Sequence, residues 1–352
     1  MKTMTEKSYK PYLDGLRGLS ILIVAISHGG LGKIIPGGLG LTIFFFISGY
    51  LITSLLLKEK EMTGSIHMPN FYMRRLWRLL PALLVYIVVT SVVSLMLGEK
   101  LHANEALSAV FYYSNYYKLF IHYTPMGGVY SPYDVLWSLA VEEHFYLFFA
   151  PLIAFVKNKK TMLTAVVVML VAPVLVRALV TQFTSADFSD EYTYRATESR
   201  MDSIAYGCLL AMVGYKSFFK LDSRWVFFTG CAGLVASLLF RDEYFRQVFR
   251  YSWQGLCLYL VFGEIIYSEK LKVVRAALSG QFIVFIGKLS YSIYLYHWLA
   301  LILMIMWFGG TALTPVWQLS YWGFSMVLSV ASYFMVERPT LKLRVKYGSN
   351  VQ

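Results

Sequence analysis

The chain has 352 residues, 57% of them hydrophobic and only 15% charged, with 32 Lys and Arg against 20 Asp and Glu. Many runs reach the ~20 apolar residues that cross a bilayer, and no polar stretch is long enough for a soluble domain, so residues 1–352 read as one membrane domain. The net charge of +12 would point to nucleic acid in a soluble chain; in one this apolar it reads as cytoplasmic loop charge, and a nucleic-acid partner is excluded.

Ten spans are predicted, at about 12–29, 38–57, 79–97, 136–156, 161–181, 201–215, 225–240, 252–267, 283–308 and 316–336. The first carries Asp14 and Arg17 in its opening turn, three residues apart and so on one side of a helix. His28 closes it, roughly 16 Å from Arg17 at the helical rise. No small-residue cleavage site follows, so this span is expected to be retained rather than removed as a signal peptide. A cation near one face of the bilayer and an imidazole near the other are costly unless something uses them. Residues 106–121 are apolar but short and rich in tyrosine, which favours the headgroup level, and are expected to be interfacial or re-entrant.

Loop charge supports this scheme. With the N-terminus in the cytoplasm, 21 Lys and Arg fall on the inner side, 8 on the outer side and 3 within spans. The positive-inside rule then gives an all-α bundle with both termini cytoplasmic, expected in the plasma membrane. Cys208, Cys231 and Cys257 are isolated within apolar runs and suggest neither disulfides nor a metal cluster.

Several polar residues need a reason. Arg74, Arg75 and Arg78 fall within about one helical turn ahead of the third span, with Arg74 and Arg78 on one face. They are either a topogenic basic flank or, together with Arg17, a site for a multiply phosphorylated ligand, since guanidinium forks match phosphate oxygens. Glu142 and Glu143 open the fourth span, which runs inward from the outer side, and His28 ends a span running the other way. The two are expected at similar depth, where a carboxylate would orient His28 as a general base. The alternative is a buried polar cluster that only holds spans together. Arg195, Glu198, Arg200 and Asp202 flank the sixth span on the outer side, as an acceptor site or as surface ion pairs. His297 lies mid-span among tyrosines, as a packing element or a reactant. No Walker loop, zinc-binding His-Glu-x-x-His or Gly-x-Ser-x-Gly elbow is present.

Read together, these residues resemble the acyltransferase-3 family of membrane acyltransferases. Tyr12-Leu-Asp-Gly-Leu-Arg17 with His28 is similar to its first span, Gly40 to Thr53 to its second, and Phe71 to Pro81 to its arginine motif. Trp137-Ser-Leu-Ala-Val-Glu-Glu-His-Phe-Tyr146 resembles its Glu-Glu motif, with His144 where glutamine is commoner. Arg200 to Gly207, Gly287 to Trp298 and Glu337-Arg-Pro339 complete the order. The resemblance implies transfer of an acyl group, often acetyl, from acyl-CoA inside to a hydroxyl outside, mostly on sugars of surface polysaccharides or on glycolipids. Many relatives carry a fused extracytoplasmic esterase-like domain; this sequence stops soon after its last predicted span, so a stand-alone form is expected, acting directly or with a separate extracytoplasmic transferase or glycan-synthesis partner.

The mechanism expected on this basis uses Arg17, Arg74, Arg75 and Arg78 for the CoA phosphates, paired through Asp14, with no permanently bound cofactor. His28, oriented by Glu142 or Glu143, either deprotonates the acceptor hydroxyl or takes the acyl group itself. Asp14, Ser138, Arg200, Asp202, Tyr291 and His297 are taken as supporting residues. The rival from another class is a proton-coupled exporter of a glycan or small polar solute.

Overall fold

The computed structural model describes residues 9–98, 103–121, 131–215, 223–309 and 313–348. Among them every regular element is helical. Hydrocarbon offers no partner to backbone N–H and C=O groups, so an apolar chain lacking alternating period satisfies them within helices. The order begins α1 (Pro11–Ile26), α2 (Gly37–Thr63), α3 (Met68–Met96), α4 (Ala103–Val110) and α5 (Ser114–Phe120). It continues with α6 (Trp137–Phe155), α7 (Lys159–Phe183), α8 (Ala186–Arg195), α9 (Thr197–Val213), α10 (Ser223–Leu239) and α11 (Arg250–Tyr267). The chain closes with α12 (Lys272–Leu278), α13 (Gln281–Lys288), α14 (Ser290–Phe308), α15 (Pro315–Ser332) and α16 (Arg338–Arg344). Residues 1–8, Lys100, Lys216, Lys220 and the last four residues, which enter the loop-charge argument and the placement of the termini, lie outside the described residues.

Six helical stretches are long and apolar enough to cross a membrane: Gly37–Thr63, Met68–Met96, Asp134–Phe155, Lys159–Phe183, Ser290–Phe308 and Pro315–Leu343. The remaining predicted spans coincide with α1, α9, α10 and α11. Two expectations change in detail. Residues 106–121 form parts of two short helices broken at Tyr112, whose φ of 55° no helix accepts, so neither half could cross a bilayer. The predicted span 283–308 is two helices, α13 and α14, meeting at Leu289. Gly287, just before this joint, lets α13 press on α1: a Cβ there would lie 1.9 Å from the Asp14 carbonyl oxygen.

Burial explains the apolar excess. α14 is hydrophobic on all sides and sits at the centre, with Leu295, Ala300 and Met304 fully enclosed. α3 and α7 instead turn Val88, Val92, Val168, Leu175 and Leu179 outward. Rows of exposed aliphatic side chains on the longest helices are what a lipid solvent selects, and the protein is a membrane protein. Where two helices must touch closely, small residues appear: Gly49 of α2 and Gly207 of α9 face each other's partner backbones, each so tight that a Cβ would lie about 2 Å from a carbonyl oxygen.

The bundle has two distinguishable ends. At the basic end, Lys60 near the close of α2 donates to the Ile153 and Val156 carbonyls at the close of α6, and Arg74 near the start of α3 pairs with Glu59. At the far end, α1 gives way to a turn of π-helix, Ser27–Leu31.

Candidate active site

That turn is what presents His28. Gly30 has φ +104°, a backbone that favours glycine, and Gly29 has its Cα against the Tyr321 ring, 2.9 Å from where a Cβ would be. A π-turn leaves α-helical carbonyls unpaired, and α15 collects them. Tyr321 donates to the Ala25 carbonyl at 2.8 Å, and the Gln318 amide donates to the Gly29 carbonyl at 2.7 Å.

His28 then meets α14 rather than α6. Its Nδ1 lies 3.0 Å from Nε2 of His297, the rings are stacked, and Trp298 packs edge-on at 5.0 Å. His297 is fully enclosed, and its Nδ1 lies 2.8 Å from the Ile293 carbonyl oxygen. A carbonyl can only accept, so Nδ1 of His297 carries the hydrogen. In the neutral pair its Nε2 therefore accepts from Nδ1–H of His28. The network thus assigns the tautomer of His28, leaving its Nε2 lone pair free for a proton or an acyl carbon.

Glu142 and Glu143 do not meet His28 but hold Arg75. Both Nε and Nη2 of Arg75 donate to Glu143 Oε1, at 3.2 and 2.7 Å, and Glu142 Oε1 lies 3.9 Å from Nη2. Glu142 also accepts from Ser48 and Tyr146, each at 2.5 Å, and the Arg75 guanidinium lies 3.4 Å over the Tyr146 ring. The expected alignment fails for a reason of depth. Trp298, beside His28, donates to the Ser131 carbonyl ahead of α6, so His28 is level with the approach to that helix. Glu142 lies five residues beyond Trp137, roughly 7.5 Å further along.

The arginine cluster also separates. Arg17 and Arg78 line one cavity of about 110 Å³ together with Ser48, Arg75, Glu142 and Tyr291. Neither Arg17 nor Arg78 makes a hydrogen bond or close ion pair among the described residues; Arg17 rests 5.7 Å over the Phe44 ring. Arg74 faces away, donating to the Tyr347 carbonyl at 2.8 Å and pairing with Glu59 at 3.2 Å. Although Arg74 and Arg78 share a side of α3, the close of α2 and the C-terminal segment claim Arg74 first. Asp14 accepts from Tyr9 at 2.7 Å and forms no close pair with Arg17, so three-residue spacing alone does not join them.

A second, narrower cavity of about 20 Å³ continues the first, sharing Phe44, Leu139 and Tyr291 as walls. It reaches Ser138 and Tyr294, whose hydroxyls lie 2.5 Å apart, one helical turn short of His297. Tyr291 is held by a hydrogen bond to the Leu79 carbonyl at 2.9 Å. An apolar-walled path therefore runs from two unpaired guanidiniums toward an imidazole pair.

Arg200 and Asp202, expected near the outer surface, are fully buried. Asp202 accepts from Arg177 at 2.8 Å and Ser252 at 2.5 Å, while Arg200 stacks 3.8 Å over Tyr251 and donates to Thr42 at 3.1 Å. They join α2, α7, α9 and α11 rather than forming an open face. Arg195 pairs with Asp134 and Glu191, and Glu198 accepts from Tyr116 and Tyr192. Among the described residues no group of His, Cys, Asp and Glu could hold a metal.

A family model described as an acyltransferase domain matches residues 10–334. The chain belongs to the acyltransferase-3 family. It is 31% identical over 357 residues to the peptidoglycan O-acetyltransferase OatA of Listeria monocytogenes, covering 95% of this chain and 55% of that protein. It is also 31% identical to the O-acetyltransferase OatA of Staphylococcus aureus over 315 residues, covering 85% of this chain and 51% of that one. The chain thus spans about half the length of these relatives. No solved structure matches.

Within this acyltransferase fold, the stretches that carried the resemblance gather at two places: Arg17 of α1, Ser48 of α2, Arg75 and Arg78 of α3 and Glu142 of α6 around one cavity, and His28 of the π-turn with His297 of α14 beyond it. The structure adds Ser48, Tyr146 and Tyr294, which sequence reasoning passed over as ordinary apolar-span residues. For Ser48 and Tyr146 a signal existed: a buried glutamate needs donors, and Tyr146 lies one turn from Glu142.

Proposed function

We propose that the protein is a membrane O-acyltransferase, moving an acetyl group from acetyl-CoA at the basic end to a hydroxyl of a cell-surface sugar at the far end, with peptidoglycan the leading acceptor. The observation that carries this reading is a cavity holding two arginines without a close ion pair, Arg17 and Arg78, from which a narrower cavity leads toward a tautomer-fixed histidine pair. The similarity to two O-acetyltransferases supports the chemistry, and the peptidoglycan relative supports the acceptor. In this reading ten helices cross the plasma membrane, and the basic end, with both termini, faces the cytoplasm.

Arg17 and Arg78 would bind the CoA phosphates, with adenine outside, since a cavity of about 110 Å³ takes the thin pantetheine arm and not a nucleotide. The thioester would pass Tyr291 and Tyr294 toward His28. There Nε2 of His28 accepts the proton of the acceptor hydroxyl as its oxygen bonds to the thioester carbonyl carbon. The C–S bond then breaks, and the departing thiolate takes the proton back from the imidazolium, which the His297 ring stabilises. In the covalent variant Nε2 itself bonds to the acyl carbon as the C–S bond breaks and the thiolate leaves; the acceptor oxygen then bonds to the acyl carbon as the C–N bond breaks, and its proton passes to the thiolate. Arg75 with its two carboxylates is a positioning element between the arginine cavity and the path.

The test uses purified protein in nanodiscs, with acetyl-CoA binding followed calorimetrically and thiol release by a chromogenic reagent, with and without peptidoglycan fragments. Wild type should bind and turn over; His28→Ala should bind and not turn over. If neither binds any acyl-CoA and the protein moves protons or solute in liposomes, the enzyme reading is wrong.

A further inference from the structure

At the far end a cavity of about 230 Å³ begins at Ser27, the residue before His28, and is bounded by Tyr194, Arg250, Tyr251 and Gln254. None of these belongs to the path from the arginines. Gln254 is only 2% exposed; its amide nitrogen donates to Ser237 at 3.1 Å, but its Oε1 is buried without a partner. A buried amide oxygen left without a donor is costly, and the residue that carries it borders the cavity, within a side-chain rotation of an occupant. Arg250 donates to the Tyr251 hydroxyl at 3.1 Å and has no carboxylate at ion-pair distance among the described residues, with Asp190 acting on it only from further off. Ser27 Oγ accepts the Gly37 N–H at 2.9 Å, which leaves its own hydrogen to give.

The cavity is tied to the reaction path. The Tyr194 ring packs on Trp137 at 4.8 Å, and the next residue, Ser138, contacts the Tyr294 hydroxyl. An aromatic face, an orphan acceptor, a free hydroxyl donor and an unpaired guanidinium are together the complement of a hydroxyl-rich ring bearing an anion. The volume is below the ~300–1,000 Å³ typical of drug-sized sites, so one ring is the unit it admits.

We propose that this cavity, one residue from His28, binds the acceptor as a single sugar carrying an acidic group. One sugar hydroxyl donates to Gln254 Oε1, the acid sits against Arg250, and the ring lies along Tyr194. The proposal rests on the acyltransferase reading above and adds to it a place and a charge for the acceptor. The acid is a carboxylate or a phosphate, both of which a guanidinium fork binds.

The experiment uses full-length protein in nanodiscs and four probes: acetyl-CoA, glucuronic acid, glucose 6-phosphate and N-acetylglucosamine. Sugar affinities are read by saturation-transfer NMR and the acetyl-CoA affinity by calorimetry. An acidic sugar should bind about tenfold more tightly than the neutral one, and the better acid identifies the group. Arg250→Gln should erase that preference, and Gln254→Leu should weaken every sugar about tenfold, with acetyl-CoA affinity unchanged in both. If acetyl-CoA binds normally while acidic and neutral sugars bind alike, or the variants match wild type, the acceptor site is elsewhere. If wild type binds no acyl-CoA at all, the fault lies with the acyltransferase reading.

Discussion

Arg75 and Arg78 lie less than one turn apart on α3, yet their replacement should give opposite results. Arg78 faces the cavity with no hydrogen bond or close ion pair among the described residues and acts on the buried Glu337 only at longer range, so Arg78→Gln disturbs the fold far less than the loss of Arg75. It should delete one charge-assisted contact to a CoA phosphate, worth about 1.5–3 kcal/mol, and weaken acetyl-CoA binding by about 10- to 150-fold. Arg75 is 8% exposed and answers two carboxylates, so Arg75→Gln strands buried negative charge. Removing one partner of such a pair costs about 3–5 kcal/mol, or roughly 10 °C in melting temperature. A second change, Glu143→Gln, should recover part of that loss by removing the stranded charge. The assays are calorimetric titration with acetyl-CoA and thermal unfolding, both in nanodiscs. Wild-type affinity in Arg78→Gln, or lost affinity with unchanged melting in Arg75→Gln, would refute the division between an anion-binding and a structural arginine.

His297→Ala should lower turnover about 10- to 100-fold and His28→Ala at least 100-fold, since the first loses the orientation of the base and the second the base itself; neither should change acetyl-CoA affinity. Tyr321→Phe leaves the Ala25 carbonyl without its side-chain donor, and should cost about 1–3 kcal/mol in unfolding and reduce turnover by loosening the turn under His28. Gly287→Ala places a methyl against the Asp14 carbonyl and should separate α13 from α1; a melting temperature equal to wild type would show that the joint is not tight.

The helices themselves were legible because length and hydropathy alone place them: long runs such as Lys159–Phe183 leave no other choice in lipid. The site was legible as a set of residues but not as a set of pairs. His28, Arg17 and Glu142 stand out because charge inside an apolar span is expensive. Which of them touch depends on depth, and depth was misjudged: the π-turn after Ile26 and the irregular entry to α6 shift His28 and Glu142 apart. His297 read equally well as packing because its partner lies 269 positions away, a separation no periodicity reports. Arg200 and Asp202 sit where a surface would be in a simple bundle, but α8 and the approach to α11 fold over them.

The clamp on the π-turn ties the beginning of the chain to its end. A ribosome delivers His28 with the first helix, whereas the groups that fix its position and tautomer, at 297, 318 and 321, arrive with the last two long ones. A partly inserted chain therefore has the arginines and most of their pocket walls, all but Tyr291, before the turn under His28 is held. The turn that carries His28 is therefore complete only when α15 closes on α1.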